Sequence, residues 1–163
     1  MIIFFLTVSL NCIGQSKIPT EKDLRHTFKK IYATNKKENR KYSTWFACNL
    51  DSSFYKSDTV ILVSNNAYYI KNSCCKIVQL SFYSRVNCFL TISETCKYPG
   101  AGTVTVATSK DKYKLKYATH GEFAYLILSQ VSGQEIKFKA ITSYDLATSW
   151  GDNFTVIQLV RVK

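Results

Sequence analysis

Hydrophobic and polar positions recur with two different periods along this chain, and the change falls near residue 44. Leu24, Phe28, Ile31 and Tyr32 recur at helical spacing and leave the opposite face to Lys22, Arg25, Lys29 and Lys30. Thr20 followed by Asp23 reads as a cap, where side-chain oxygens satisfy amides that a helix start leaves without partners, and Pro19 marks the boundary. The spacing predicts one amphipathic helix over about 20–33. Asn35 to Lys41 holds no apolar residue and reads as a solvated linker.

From Thr44 onward the pattern turns to short extended runs rich in Val, Ile, Thr, Tyr and Phe, which suit a pleated, half-buried surface. Predicted strands are Trp45–Leu50, Asp58–Val63, Ala67–Lys71, Lys76–Tyr83 and Cys88–Ile92 in the first half. Thr103–Thr108, Lys112–Ala118, Phe123–Leu128, Glu135–Thr142 and Phe154–Val162 follow. Asn, Asp and Gly in the intervening segments, as in Ser64-Asn65-Asn66 and Thr119-His120-Gly121, tolerate the positive φ of tight turns.

Lys112, Lys114 and Lys116 alternate with Tyr113, Leu115 and Tyr117, and Lys137 and Lys139 alternate with Ile136, Phe138 and Ala140. Each of these strands therefore has one basic and one apolar face. Phe123 to Leu128 is apolar on both faces, so its second face needs a cover, for which the Leu24/Phe28/Ile31 stripe is the expected source. No segment between strands is long and apolar enough for a crossover helix, so the sheet is expected to be antiparallel. Closure removes edges that invite aggregation, which makes a meander β-barrel the expected architecture and a two-sheet β-sandwich the alternative.

Residues 2–10 form an apolar run too short to span a bilayer but of the length of a signal-peptide core. Cys12 and Gly14 are small residues placed for cleavage after Gly14, and lipidation at Cys12 is a second reading. The organisation expected is a signal peptide at 1–14, a basic helix and linker at 15–43, and a barrel at 44–163. Cys48, Cys74, Cys75, Cys88 and Cys96 remain after cleavage, and in an exported chain such thiols usually pair. Zinc and a vicinal Cys74–Cys75 bridge are competing readings. The pairing expected sends one sulfur of the vicinal pair to Cys48 and the other to Cys96, leaving Cys88 reduced.

At 163 residues, 46% hydrophobic and 14% aromatic, the chain is long and apolar enough for one packed domain, which excludes a disordered polymer. Its net charge of +11 is concentrated at the front, where residues 16–41 hold nine basic and three acidic side chains. That excess suits an anionic envelope surface or a polyanionic glycan. No nucleic-acid-binding motif stands in the chain, and a monomer with no nucleic-acid partner is expected.

Catalytic chemistry finds little footing. His120-Gly121-Glu122 sets an imidazole near a carboxylate, but neither a Gly-x-Ser-x-Gly nor a His-Glu-x-x-His arrangement is present. Cys75 with His26 or His120 is a nucleophile and base only if the thiol is reduced. Pro99-Gly100-Ala101-Gly102 lacks the Lys-Ser/Thr helix of a phosphate loop, and Asp51, Asp58, Asp145 and Asp152 lack the spacing of a Ca2+ loop. A non-enzymatic protein with no cofactor and no metal is expected.

Ser43-Thr44-Trp45 at the start of the first strand and Leu159-Val160-Arg161 at the end of the last resemble the lipocalin and wider calycin pattern, with Ser43 where the family has Gly. The resemblance implies a closed barrel in which the Arg161 guanidinium packs over the Trp45 indole and plugs one end. In general make-up the chain is also similar to small exported bacterial proteins, which implies no activity. The function expected is an exported binding module for an apolar or amphipathic small ligand, with Trp45, Phe123, Tyr125 and Arg161 as candidate contacts. The alternative is an envelope structural or interaction protein with a filled barrel, acting through its basic face.

Overall fold

The computed structural model describes residues 18–37, 43–65, 67–71, 73–94, 96, 103–104, 107–147 and 153–163. The apolar run 2–10, the cleavage site after Gly14, Cys12, the 99–102 turn and Asp152 lie outside the described residues.

Helix α1 spans Glu21–Lys37. Its start is a capping box: Thr20 Oγ1 accepts from the Asp23 amide at 3.2 Å, and Asp23 Oδ2 accepts from the Thr20 amide at 2.9 Å. The helix runs past the expected end near 33, so residues 35–37 are helical rather than linker. Glu21 and Asp23 in its first turn and Lys36 and Lys37 in its last all oppose the helix dipole favourably.

The strands are β1 (Ser43–Cys48), β2 (Thr59–Val63), β3 (Lys76–Phe82), β4 (Asn87–Glu94) and β5 (Thr103–Val104), then β6 (Lys112–His120), β7 (Phe123–Gln130), β8 (Glu135–Ala147) and β9 (Asn153–Val162). Eight of them close a ring in the order β1-β2-β9-β8-β7-β6-β4-β3 and back to β1, while β5 adds a two-residue pairing on β4. Every pairing is antiparallel. The fold is a closed antiparallel meander barrel with one helix near its N-terminus, as the sequence pattern predicts.

One step departs from sequential order. β1 lies between β2 and β3, which makes those two strands parallel to each other. Parallel neighbours need a crossover rather than a hairpin, and the chain from Ser64 to Cys75 supplies it on the outside of β1. This corrects two expectations: Ser64-Asn65-Asn66 does not join a hairpin, and Ala67–Lys71 is a short helix, α3, instead of a strand. Tyr69 of α3 is buried with Val63, Cys74, Ile77 and Val156 against the outer side of the sheet, and its hydroxyl donates to the Ile61 carbonyl at 2.5 Å.

Smaller corrections fall at strand ends. Asp58 precedes β2, and its carbonyl accepts the Arg161 amide at 2.7 Å. Leu50 belongs to a 3-10 turn. The run predicted at Thr103–Thr108 is extended only at Thr103–Val104, with Thr108 capping a second 3-10 turn and residues 105–106 outside the described set.

Two disulfides join Cys48 to Cys74 and Cys75 to Cys96, and Cys88 is reduced and buried in β4. β3 sits between β1 and β4, and the vicinal pair stands just ahead of it. Adjacent side chains on extended backbone point opposite ways, so one sulfur reaches the end of β1 and the other the end of β4. Closing loops with separations of 26 and 21 residues contributes about 3 kcal/mol each by the chain-entropy account. The bridges point to an oxidising environment.

Candidate functional site

The barrel interior is filled by the chain's own side chains. Trp45, Leu80, Leu115, Leu126, Phe138 and Leu159 are all essentially inaccessible and belong to one apolar cluster. Both mouths are stoppered. At the end where β1 begins, α1 inserts Leu24 and Phe28 into that cluster. The Phe28 ring lies 4.6 Å from Trp45, 5.7 Å from Phe82 and 6.1 Å from Tyr117. Thr119 Oγ1 donates to Glu21 at 2.9 Å, tying the helix to the end of β6.

At the opposite end the chain leaves β1, turns through Asp51 and Ser52 at φ 53° and 63°, and enters a four-residue helix, α2 (Ser53–Lys56). Two consecutive non-glycine residues in the left-handed region are costly. The turn is held by the buried Asn49, whose Oδ1 accepts from the Phe54 amide at 3.1 Å. It delivers the Phe54 ring to within 6.0 Å of Phe138. Arg161 closes the same mouth: its guanidinium lies 4.8 Å from the Phe138 ring centroid, and Nη2 donates to the Phe54 carbonyl. Burial pushes its pKa below the ordinary arginine value.

Trp45 and Arg161 are therefore not partners. Trp45 stacks on Phe28 at one end and Arg161 on Phe138 at the other, because β9 closes against β2, not β1, and ends at the far mouth. The cation–π stopper implied by the lipocalin resemblance exists, but Phe138 and Phe54 supply the rings. Neither the polar sequence around Phe54 nor any regular spacing marked that residue as the stopper.

Phe123 and Tyr125 lie on the outside. β7 turns Ala124, Leu126 and Leu128 inward and Phe123, Tyr125 and Ile127 outward, where they are half-buried. The cover expected from α1 is not what the structure has, since Leu24 and Phe28 enter the barrel end. Lysines of β8 cover the outer face instead: Lys139 Nζ sits 3.2 Å from the Phe123 ring centroid and Lys137 Nζ 4.8 Å from that of Tyr125. On the other flank Lys114 and Lys116 of β6 stand opposite Ser129 and Ile127. Among the described residues of this face, only Lys116 has a carboxylate within ion-pair distance, Glu135 at 3.1 Å. Glu135 also accepts from Ser129 Oγ at 2.6 Å, and the two hydrogen bonds, Ser129 foremost, hold its carboxyl below the usual range.

The candidate reactive groups do not converge. Cys75 is consumed in a bridge, so it is no nucleophile beside His26 or His120. Cys88 is a buried thiol pushed up to about 12 by desolvation. Asp58 pairs with Lys163 at 3.3 Å and Asp145 accepts from Thr155 at 2.6 Å. No group of three metal-ligating side chains exists among the described residues. Concavities lie on the exterior among the described residues. One, about 690 Å3, lies at the loops holding Lys110, Gln130 and Val131, and another of about 330 Å3 lies between α1 and the β8–β9 pair. No family model matches the chain, and no curated protein or solved structure matches it.

Proposed function

We propose that this protein is an exported, non-enzymatic interaction module, a filled and disulfide-stapled barrel that meets an anionic partner through its basic exterior. The observation that carries this reading is the pair of stoppers. Phe28 at one mouth and Phe54 with Arg161 at the other join a continuous apolar core, so the chain's own rings occupy the volume a small ligand would need. What remains for recognition is the outside, and its dominant property is the +11 charge.

The same packing governs how such a surface works. An amphipathic helix enters a membrane interface by burying its apolar face, and that face of α1 is already spent on the barrel. Its outer side offers Lys22, Lys29, Lys30, Lys36 and Lys37 to solvent, so contact through it is electrostatic. The apolar run 2–10 and the two disulfides support export, with the mature chain beginning at Gln15.

The test is sedimentation of the purified protein with phosphatidylglycerol vesicles, phosphatidylcholine vesicles and a sulfated polysaccharide. Binding to the anionic partners alone, lost as the Debye length shrinks from about 10 Å at 0.1 M salt to about 3 Å at 1 M, is the expected result. A stoichiometric apolar molecule extracted from the pure protein, or salt-insensitive uptake of a hydrophobic probe, overturns it.

A further inference from the structure

The outer wall formed by β4, β6, β7 and β8 is laid out in alternating columns. Phe89 of β4, stacked with Tyr83 at 4.9 Å, stands opposite Lys112. Lys112, Lys114 and Lys116 form the next column, Phe123, Tyr125 and Ile127 the one after, and Lys137 and Lys139 the last. The register sets the two lysine columns obliquely: Lys114 and Lys116 stand level with Ser129 and Ile127, and Lys137 and Lys139 level with Ile127 and Tyr125. The cations therefore run diagonally across β7 and face each other only at Ile127, where two strand spacings of about 4.8 Å set them about 10 Å apart.

We propose that this wall binds a linear anionic polysaccharide, with its sulfate or carboxylate groups along the oblique line of lysines from Lys112 to Lys139 and its sugar backbone crossing β7 at Ile127. The inference rests on the anionic-partner reading and names both the face and the partner class. Lys112, Lys114, Lys137 and Lys139 have no carboxylate within ion-pair distance among the described residues, so an arriving anion displaces no internal ion pair at four of the five cations. Two of those ammonium groups rest over aromatic rings, held by attraction between cation and ring face. Single-stranded nucleic acid binds by stacking bases on open ring faces, and here lysines occupy those faces. A sulfated or carboxylated sugar chain needs no open ring face, and its regularly spaced anions match cations spaced along one oblique line across the apolar column of β7. The helix α1 carries cations without such a column on its outer side, which separates the two basic surfaces.

The experiment is calorimetric titration with a heparin-derived octasaccharide, an uncharged malto-oligosaccharide of equal length and an eight-nucleotide oligothymidine. Wild type is compared with two triple variants, Lys114→Gln/Lys137→Gln/Lys139→Gln on the wall and Lys29→Gln/Lys30→Gln/Lys37→Gln on α1. The wall variant is expected to lose at least roughly tenfold in affinity for the octasaccharide and the helix variant less than about threefold, since each neutralised contact removes one released counterion. Independently of the variants, bound octasaccharide is expected to protect Lys114, Lys137 and Lys139 of the wild-type protein from acetylation. Equal losses from both variants, equal protection of α1 lysines, or oligothymidine binding as tight as the octasaccharide overturns the assignment while leaving the anionic-partner reading in place. If wild type binds none of the sulfated polysaccharide or anionic vesicles, that reading falls too.

Discussion

Phe28 of the N-terminal helix and Trp45 of the first strand meet inside one mouth of the barrel with ring centroids 4.6 Å apart and planes inclined at 32°. Both side chains are buried, Phe28 at 4% and Trp45 at 0% exposure. The helix is therefore part of the core of the barrel rather than a lid laid over a finished one. Phe28→Ala is expected to cost about 3–5 kcal/mol, the range for removing a buried ring and leaving a cavity. Denaturant unfolding measures it, and a loss below about 1 kcal/mol would show that the helix only rests on the surface.

Arg161 supplies a second measurable stopper. Its planar fork lies on Phe138 while donating to the Phe54 carbonyl, a combination that a lysine ammonium does not reproduce. Arg161→Lys is expected to lower stability by about 1–2 kcal/mol despite keeping the charge. Thermal unfolding checks this, and indifference to the substitution would mean that charge alone matters at that mouth.

The disulfide pattern predicts a simple peptide map. Without reductant, proteolysis should yield Cys48 linked to Cys74 and Cys75 linked to Cys96, with Cys88 alkylated only after unfolding. Replacing Cys75 and Cys96 together by Ser is expected to cost about 3 kcal/mol in an equilibrium unfolding experiment. Finding Cys88 in a bridge would contradict the pairing.

Cys88 also sets a direction for alkaline pH. Burial raises its pKa from an ordinary value of 9.0 to about 12. The unfolded thiol ionises first, so the stability held by the neutral buried form is complete below pH 9 and declines from there up to about 12. Tyr117 and Tyr69, both raised chiefly by burial, act in the same direction. Cys88→Ala should flatten the loss of stability above pH 9, read from urea midpoints across that range; an unchanged slope would assign the whole effect to the tyrosines.

Local pattern made much of this architecture legible. The capped helical stripe, the Lys/apolar alternation of β6 and β8, and the apolar run of β7 all follow from periods of 3.6 and 2 that neighbouring residues reveal. Two features depend on positions far apart and carried no local mark. Ala67–Lys71 has the aromatic and β-branched content of a strand, yet it is helical because β2 and β3 take the same direction on either side of β1. Arg161 meets Phe138 rather than Trp45 because β9 lies between β2 and β8, a choice invisible in any of those segments alone. The lysine columns were readable strand by strand. Their meeting at Ile127, in one oblique line across β7, becomes visible only with the register of β6, β7 and β8.

The placement of β1 between β2 and β3 also orders assembly in time. β1, β3, β4 and both disulfides come from residues 43–96, so the β1–β3 and β3–β4 pairings and both covalent links need no later segment, while the other edge of β4 waits for β6. β2 has only β1 as a partner within that span, and the pairing of Thr59 to Val63 with Val160 to Val156 waits for β9. Such a long-range closing contact slows folding, since the entropy of closing the loop is lost before the pairing returns any stability. A chain released before β9 emerges keeps its stapled half but leaves β2 and β8 as open edges, the kind of surface that recruits other strands. Neither bridge depends on β9, and pairing of that ten-residue strand with β2 and β8 is what removes both open edges.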